Sequence, residues 1–182
     1  MRGARHALAV AAFLVAGSSV AFAAQRGMPE DIGGVPEEKE FKEDAVKLPG
    51  FPAQAGLIEF RLRGPSRNRF FIDRDSLSLG EDRVVRYAMV IKTPGGATNV
   101  SYEGMRCKTS EYKVYAYGTT DGKWAATREA KWQGVGVSES NYRFGLAVDY
   151  LCNSESVRGR NVADLVANLQ GRAPYRSNTT KN

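Results

Sequence analysis

Ser110 and Lys113 have the spacing of the serine–lysine motif found in penicillin-recognising enzymes. In those enzymes the motif lies on a helix, where residues i and i+3 share a face. Here the surrounding residues alternate as in a strand, which would place the two side chains on opposite faces. The companion Lys-Thr-Gly and Ser-Asp-Asn motifs are absent from the sequence. We therefore interpret Ser110 as a turn residue and Lys113 as a surface cation.

Four acidic residues are candidates for carboxylate chemistry: Asp73, Asp75, Glu103 and Asp121. Glycoside hydrolysis needs two carboxyl groups about 5–10 Å apart in a cleft. A carboxylate-based hydrolase acting on cell-wall glycan is therefore one possible function, which we treat as the alternative to a non-catalytic role. A calcium loop is disfavoured, because Ser78 stands where the loop needs a glycine. We interpret the first two acids as turn residues that bond to local backbone amides.

The N-terminus has the pattern of a secretory signal peptide. Two arginines precede an apolar run at residues 7–15, and the small-x-small motif Ala21-Phe22-Ala23 follows. We expect cleavage after Ala23, so that residues 1–23 are removed. The expected location is periplasmic, with an extracellular or outer-membrane-associated position as the alternative.

Cleavage at that point would also remove His6, the only histidine of the chain. The mature protein would then lack the usual general base near neutral pH. A serine–histidine or cysteine–histidine catalytic pair could not form within it. A zinc site is disfavoured as well, because two distant cysteines without histidine do not close a ligand set. We expect neither a metal nor a cofactor, and the favoured function is a non-catalytic binding or assembly module of the cell envelope.

Cys107 and Cys152 are the two cysteines of the chain. In an oxidising compartment they would most simply pair with each other. The bond would close a loop of about 45 residues and contribute about 4 kcal/mol to stability in the chain-entropy description. A reactive thiol is the alternative, but the sequence has no Cys-x-x-Cys motif to support it. We predict a structural disulfide.

Basic and aromatic residues are the candidates for a binding surface. The candidates are Arg61, Arg63, Arg106, Lys113, Tyr115 and Tyr117. The last three alternate along one strand, so we expect them to share one face. That face is the open one if the helices cover the side of Tyr112, Val114 and Ala116. Exposed aromatic residues beside cations suit a protein partner, a glycan or a second copy of the chain. The expected partner is an envelope protein, a glycan or an anionic lipid, with a homodimer as a further alternative and no role for nucleic acid.

The residue pattern changes from strands to helices along the chain. Residues 57–128 contain short runs in which apolar and polar residues alternate, and Asp121-Gly122 is a hairpin turn signal. After residue 138 the period becomes helical. The spacing predicts one helix ending near Cys152 and a second from Asn161 to about Gly171. The predicted fold is α+β: an antiparallel sheet of about six strands with two C-terminal helices packed on one face.

The predicted domain organisation follows charge and composition. After the signal peptide, residues 24–56 hold seven acidic and four basic residues and several prolines, which indicates an acidic, loosely ordered lead-in. Residues 57–171 form the predicted single α+β domain. From Leu57 onward the chain has 20 basic and 13 acidic residues. Residues 172–182 are expected to form a mobile tail.

An ordered set of motifs between residues 40 and 170 resembles one known family. These motifs are Phe71-Ile72-Asp73-Arg74-Asp75-Ser76-Leu77, Tyr102-Glu103-Gly104-Met105-Arg106-Cys107, Tyr115-Ala116-Tyr117-Gly118, Asp121-Gly122-Lys123-Trp124 and Trp132. They resemble the cryptic-neisserial-plasmid-protein-like family, a group of uncharacterised exported proteins of Gram-negative bacteria. The resemblance implies a signal peptide and an envelope location, and it brings no catalytic residues.

Overall fold

The computed structural model describes residues 40–171. The predicted signal peptide, residues 24–39 of the lead-in and the predicted tail lie outside the described residues. Within the described range, seven strands form one antiparallel sheet, with β1 to β6 in sequence order and β7 paired with β5. The strands are β1 (Leu57–Phe60), β2 (Arg69–Leu79), β3 (Val84–Lys92), β4 (Thr98–Arg106), β5 (Glu111–Gly118), β6 (Trp124–Ala126) and β7 (Gln133–Gly134). The predicted antiparallel sheet is confirmed.

The two main helices follow the sheet in sequence, as predicted. Helix α1 (Tyr142–Leu146) begins after Asn141, whose side chain accepts a hydrogen bond from the Arg143 amide, and it continues as a π-helical turn, Ala147–Leu151. Helix α2 (Val162–Gly171) is longer, and Asn161 caps it by accepting from the Asp164 amide at 3.0 Å. The remaining elements are a 3-10 turn (Gln54–Gly56), β8 (Cys152–Asn153) and β9 (Ser156–Val157). No helix within residues 40–171 is long and apolar enough to cross a membrane.

Both helices pack on the same face of the sheet. Leu146, Tyr150, Leu151 and Leu165 are fully buried on the helix side. They belong to one core cluster with apolar residues from β2, β3 and β4, which include Ile72, Val85, Tyr87, Met89 and Met105. Each fully buried side chain of this kind stabilises the fold by about 1.5–3 kcal/mol. The predicted packing of two helices on one face is confirmed.

The opposite face of the sheet is covered by residues 40–56, which the sequence assigns to a loosely ordered lead-in. The Phe51 ring lies 5.2 Å from the ring of Trp124, and the Trp124 indole donates to the Pro49 carbonyl at 2.9 Å. Val46 packs against buried residues of this second face. Prolines interrupt helices and strands, but they still allow an irregular chain to pack against the sheet. We call residues 40–56 the covering segment.

Strand β2 runs through Asp73 and Ser76, where the sequence suggested a turn. The pairing of β2 with β3 shifts register between Asp73 and Ser78. The Ser76 hydroxyl donates to the Asp73 carbonyl at 2.7 Å and accepts from the Ala88 amide at 2.8 Å. The serine side chain therefore replaces ladder hydrogen bonds at the irregularity, and the chain bends without leaving the sheet.

Candidate functional site

The two cysteines are at disulfide distance, in the predicted pairing. Their sulfur atoms are 2.02 Å apart and their Cα atoms 5.5 Å apart. Cys107 directly follows β4 and Cys152 begins β8, so the bond ties the sheet to the end of the π-helical turn. Both residues are buried. The pair thus holds the helices against the sheet and leaves no free cysteine in the described part of the chain.

A register shift in β5 separates two tyrosines that strict alternation would place together. Val114 pairs with Glu103 and Ala116 pairs with Tyr102, so Tyr115 is an extra residue in β5. Tyr115 is buried in the cluster under the covering segment, whereas Tyr117 is 54% exposed. The expected shared face of Tyr115 and Tyr117 is therefore not formed.

Lys113 and Tyr115 both bond to Glu43 of the covering segment. The Lys113 ammonium lies 2.7 Å from one carboxylate oxygen of Glu43, and the Tyr115 hydroxyl donates to the other at 2.8 Å. Burial raises the pKa of Glu43, but the bonds from Lys113 and Tyr115 outweigh it, so this pKa lies below its ordinary value. Burial, together with the bond to Glu43, raises the pKa of Tyr115. These two predicted binding residues contact the protein itself.

Arg106 is also covered. Its guanidinium lies 3.6 Å from the ring centroid of Phe41 and 2.9 Å from the Glu111 carboxylate. The Phe41 ring makes an edge contact with Trp132 at 6.0 Å. Aromatic rings therefore surround Arg106, and one of them belongs to the covering segment.

A concavity of ≈ 210 Å³ lies beside Tyr117, and we call it the tyrosine concavity. It is lined mostly by polar side chains from β5, β7, the intervening loop and α1. The lining residues are Tyr112, Val114, Tyr117, Thr127, Glu129, Ala130, Lys131, Gln133 and Arg143. The Tyr112 hydroxyl donates to the Gln133 side-chain carbonyl at 3.1 Å. Ring faces and hydrogen-bonding groups thus line the same depression.

Arg143 is held in the wall of the tyrosine concavity by a buried carboxylate. Its Nε donates to Glu103 at 2.9 Å, and its guanidinium lies 4.0 Å from the Tyr112 ring centroid. Glu103 is fully buried and also accepts from Tyr142 at 2.8 Å and Ser101 at 2.6 Å. The network fixes the orientation of Arg143.

Sequence reasoning missed the pair of Arg143 and Glu103. The two residues are 40 positions apart, and no spacing rule connects them. The signal that could have indicated Arg143 is its position beside Tyr142 in the first turn of a capped helix. A side chain in the first turn of a capped helix has a fixed starting point once that helix packs on the sheet.

The other predicted arginines lie at the end of β1. Arg63 donates to Asp149 at 2.9 Å, and Asp149 is 4% exposed. The side chain of Arg61 is exposed to solvent. The structure therefore separates the six predicted binding residues into a covered group, Tyr117 at the tyrosine concavity, and the β1 end.

The four candidate acids do not meet in one cleft. Asp73 is buried, and burial together with the charge of Asp75 raises its pKa. Asp121 lies in the exposed turn after β5, where it pairs with Lys123 at 2.8 Å. Glu103 is buried against Arg143, and Ser110 lies in a tight turn with φ of 53°. Asp73 and Asp75 therefore lie near each other, whereas Glu103 and Asp121 are each paired with a basic residue. Ser110 and Lys113 do not form a helical serine–lysine motif.

These features define a class of small α+β protein whose antiparallel sheet is covered by two helices on one face and by an irregular segment on the other. The chain belongs to the CNP1-like family, whose model matches residues 36–170. It is similar to "Cryptic neisserial protein 1" of Neisseria gonorrhoeae (strain ATCC 700825 / FA 1090), with 30% identity over 156 residues. That alignment covers 76% of this chain and 77% of the relative. No solved structure matches the chain significantly.

Proposed function

We propose that this protein is a non-catalytic binding module of the periplasm that takes an envelope glycan at the tyrosine concavity. The observation that carries the proposal is Tyr117, a 54% exposed aromatic residue at the rim of a polar depression. A tyrosine side chain combines an apolar ring face with a polar hydroxyl group. A sugar ring offers the complementary surface, because it has apolar C–H faces and a rim of hydroxyl groups.

The lining of the concavity supports a saccharide ligand. Gln133, Lys131 and Arg143 offer donors, and Glu129 and Gln133 offer acceptors. The volume of ≈ 210 Å³ is below the roughly 300–1,000 Å³ of pockets that enclose drug-sized ligands. We infer that one ring of a longer glycan would enter, with the rest of the polymer outside.

The carboxylates near the concavity favour binding over hydrolysis. Glu129 is the one acidic residue among its lining groups in the described chain, and it pairs with Lys131 at 2.7 Å. Glu103 lies behind Arg143 and is fully buried. Glycoside hydrolysis would need a second carboxyl group about 5–10 Å from the first and facing the same cleft.

Titration of the purified mature chain with soluble peptidoglycan fragments tests the proposal. We expect the amide NMR signals of β5, β7 and α1 to shift, and Tyr117→Ala to weaken binding about tenfold through loss of the ring contact. Val137→Ala is the control, because Val137 is 89% exposed and does not line the concavity.

Two results would count against this function. Release of reducing sugar ends by the wild-type chain would show an enzyme, and unchanged spectra at millimolar fragment would show that glycan is not the ligand. Cell fractionation with N-terminal sequencing tests the location separately. We expect a periplasmic protein that begins after Ala23.

A further inference from the structure

We propose a second binding site at the β1–β2 loop, specific for phosphate-class anions and independent of the tyrosine concavity. Residues 59–70 enclose a concavity of ≈ 270 Å³ that we call the arginine pocket. Three arginines and one glutamate are the charged residues that line it: Arg61, Arg67, Arg69 and Glu59. The lining therefore has a net positive charge, which favours an anionic ligand.

The excess positive charge belongs to Arg61 and Arg67. Arg69 is paired with Glu59 through two hydrogen bonds, of 3.0 and 2.7 Å, so its charge is already compensated. Arg61 and Arg67 are exposed, and within residues 40–171 neither lies at ion-pair distance from an acid. Arg61 is near enough to Glu59 for its charge to lower the pKa of that carboxyl, but the direct partner of Glu59 is Arg69. Guanidinium groups bind phosphate through two parallel N–H bonds, which makes arginine the preferred side chain for this ligand.

The main chain below Arg61 is fixed by the helix side of the protein. The Tyr150 hydroxyl donates to the Arg61 carbonyl at 2.9 Å and accepts from the Arg61 amide at 3.3 Å. Arg63 pairs with the buried carboxylate of Asp149 two residues later. Because these anchors position the backbone before any ligand arrives, binding at Arg61 would cost little ordering of the main chain.

The far side of the pocket is a turn with its own support. The Ser66 hydroxyl accepts from the Asn68 amide at 3.1 Å, which shapes the chain next to Arg67. Gly64 lies against the main chain of Glu139, where an added Cβ would come within 2.8 Å of the Glu139 carbonyl oxygen. Glu139 itself does not line the pocket. Arg61 and Arg67 thus line the pocket from two separate positions of a supported loop.

The phosphate group could come from inorganic phosphate or from the headgroup of an anionic lipid. The test uses the complete mature protein and the double variant Arg61→Gln/Arg67→Gln. Arg128→Gln/Arg160→Gln is the matched control, because it removes the same charge from exposed arginines outside the pocket. Circular dichroism melting confirms that all three proteins are folded.

Two probes are compared at low salt. Titration with inorganic phosphate should shift the amide NMR signals of residues 61–69. In the second experiment, the protein should co-sediment with phosphatidylglycerol–phosphatidylcholine vesicles. We expect the pocket variant to bind the anionic surface about 30-fold more weakly, the effect of two arginines at such a surface. The control variant should change by less than threefold.

The outcomes separate the ligand sources. Phosphate binding without vesicle binding supports a free phosphate ligand, whereas loss of vesicle binding in the pocket variant alone supports a lipid headgroup. Equal weakening in both double variants, or no binding to either probe, would overturn the proposal. A failure here leaves the glycan proposal standing, because Tyr117 is unchanged in every one of these proteins.

Discussion

The two faces of the sheet are buried by different kinds of structure. Each has an arginine paired with a carboxylate whose side chain is fully buried: Arg143 with Glu103 on the helix face, and Arg86 with Asp82 on the covered face. Regular helices and a disulfide hold the helix face. The other face is held by the covering segment, which has only the 3-10 turn at its end as regular structure.

The difference shows that burial does not require regular structure. On the covered face, the amides of Asp44 and Asp82 each donate to the carboxylate of the other residue, at 2.9 and 3.2 Å. Such reciprocal bonds satisfy polar groups that a strand partner would otherwise satisfy. The covering segment therefore stays on the sheet through side-chain contacts, and single side chains should decide its stability.

The largest effect is expected on the helix face, from Glu103→Gln. This change leaves the Arg143 guanidinium without a counter-charge in a site where Glu103 is fully buried. Removal of one partner of a buried ion pair typically costs roughly 3–5 kcal/mol. Urea unfolding should show that loss. The control Glu129→Gln changes an exposed acid and should stay within about 0.5 kcal/mol of wild type; a similar small change for Glu103→Gln would contradict the buried-pair interpretation.

A smaller effect is expected on the covered face, from Glu43→Gln. The change removes the charge that faces Lys113 and weakens the bond from Tyr115, so we expect a loss of about 1–2 kcal/mol after solvent screening. Hydrogen exchange should accelerate in residues 40–53, while α2 keeps its protection.

Glu40→Gln is the matched control for that experiment. Glu40 is an exposed acid in the same segment, and no hydrogen bond or ion pair joins it to the rest of the described chain. Equal exchange in the two variants would mean that Glu43 does not hold the covering segment.

The smallest expected effect is a pH dependence specific to the covered face. Burial alone would raise the pKa of Asp82, but bonds from Arg86 and from the Asp44 and Val84 amides lower it below its ordinary 3.8; the pKa of Glu43 is also lowered, from 4.5. Carboxyls with depressed folded-state pKa values stabilise the protein fully above those ordinary values. That contribution is lost as the pH falls through the lowered values.

Urea unfolding between pH 7 and pH 2.5 measures this dependence. Stability should fall below about pH 4.5, and the fall should be shallower in Glu43→Gln, which has one carboxyl fewer to protonate. Identical pH profiles for the variant and wild type would show that Glu43 does not contribute to acid unfolding.

Much of the fold could be predicted because its signals are local. Alternation of apolar and polar residues indicated most strands, helical spacing after residue 138 indicated the two helices, and Asp121-Gly122 marked a tight turn in which Gly122 has a φ of 76°. These signals depend on backbone geometry over a few residues, so they can be recognised without knowledge of the surfaces that the elements pack against.

The candidate site was less accessible to sequence reasoning. The alternation of β5 placed Tyr115 and Tyr117 together, but the register shift against β4 separates them. Such a shift depends on the partner strand as well as on β5 itself. Lys113 and Arg106 lie beside aromatic residues, but the segment that contacts them is irregular and, for Lys113, 70 residues distant in sequence.

The sequence by itself determined most element types, the antiparallel α+β class and the cysteine pairing, because each depends on periodicity, turn signals or the small number of candidates. Only the tertiary structure decided which aromatic residues are exposed, which arginines are paired and where residues 40–56 lie. Those properties come from contacts between distant segments, whose stability depends on the shape and charge of both surfaces at once.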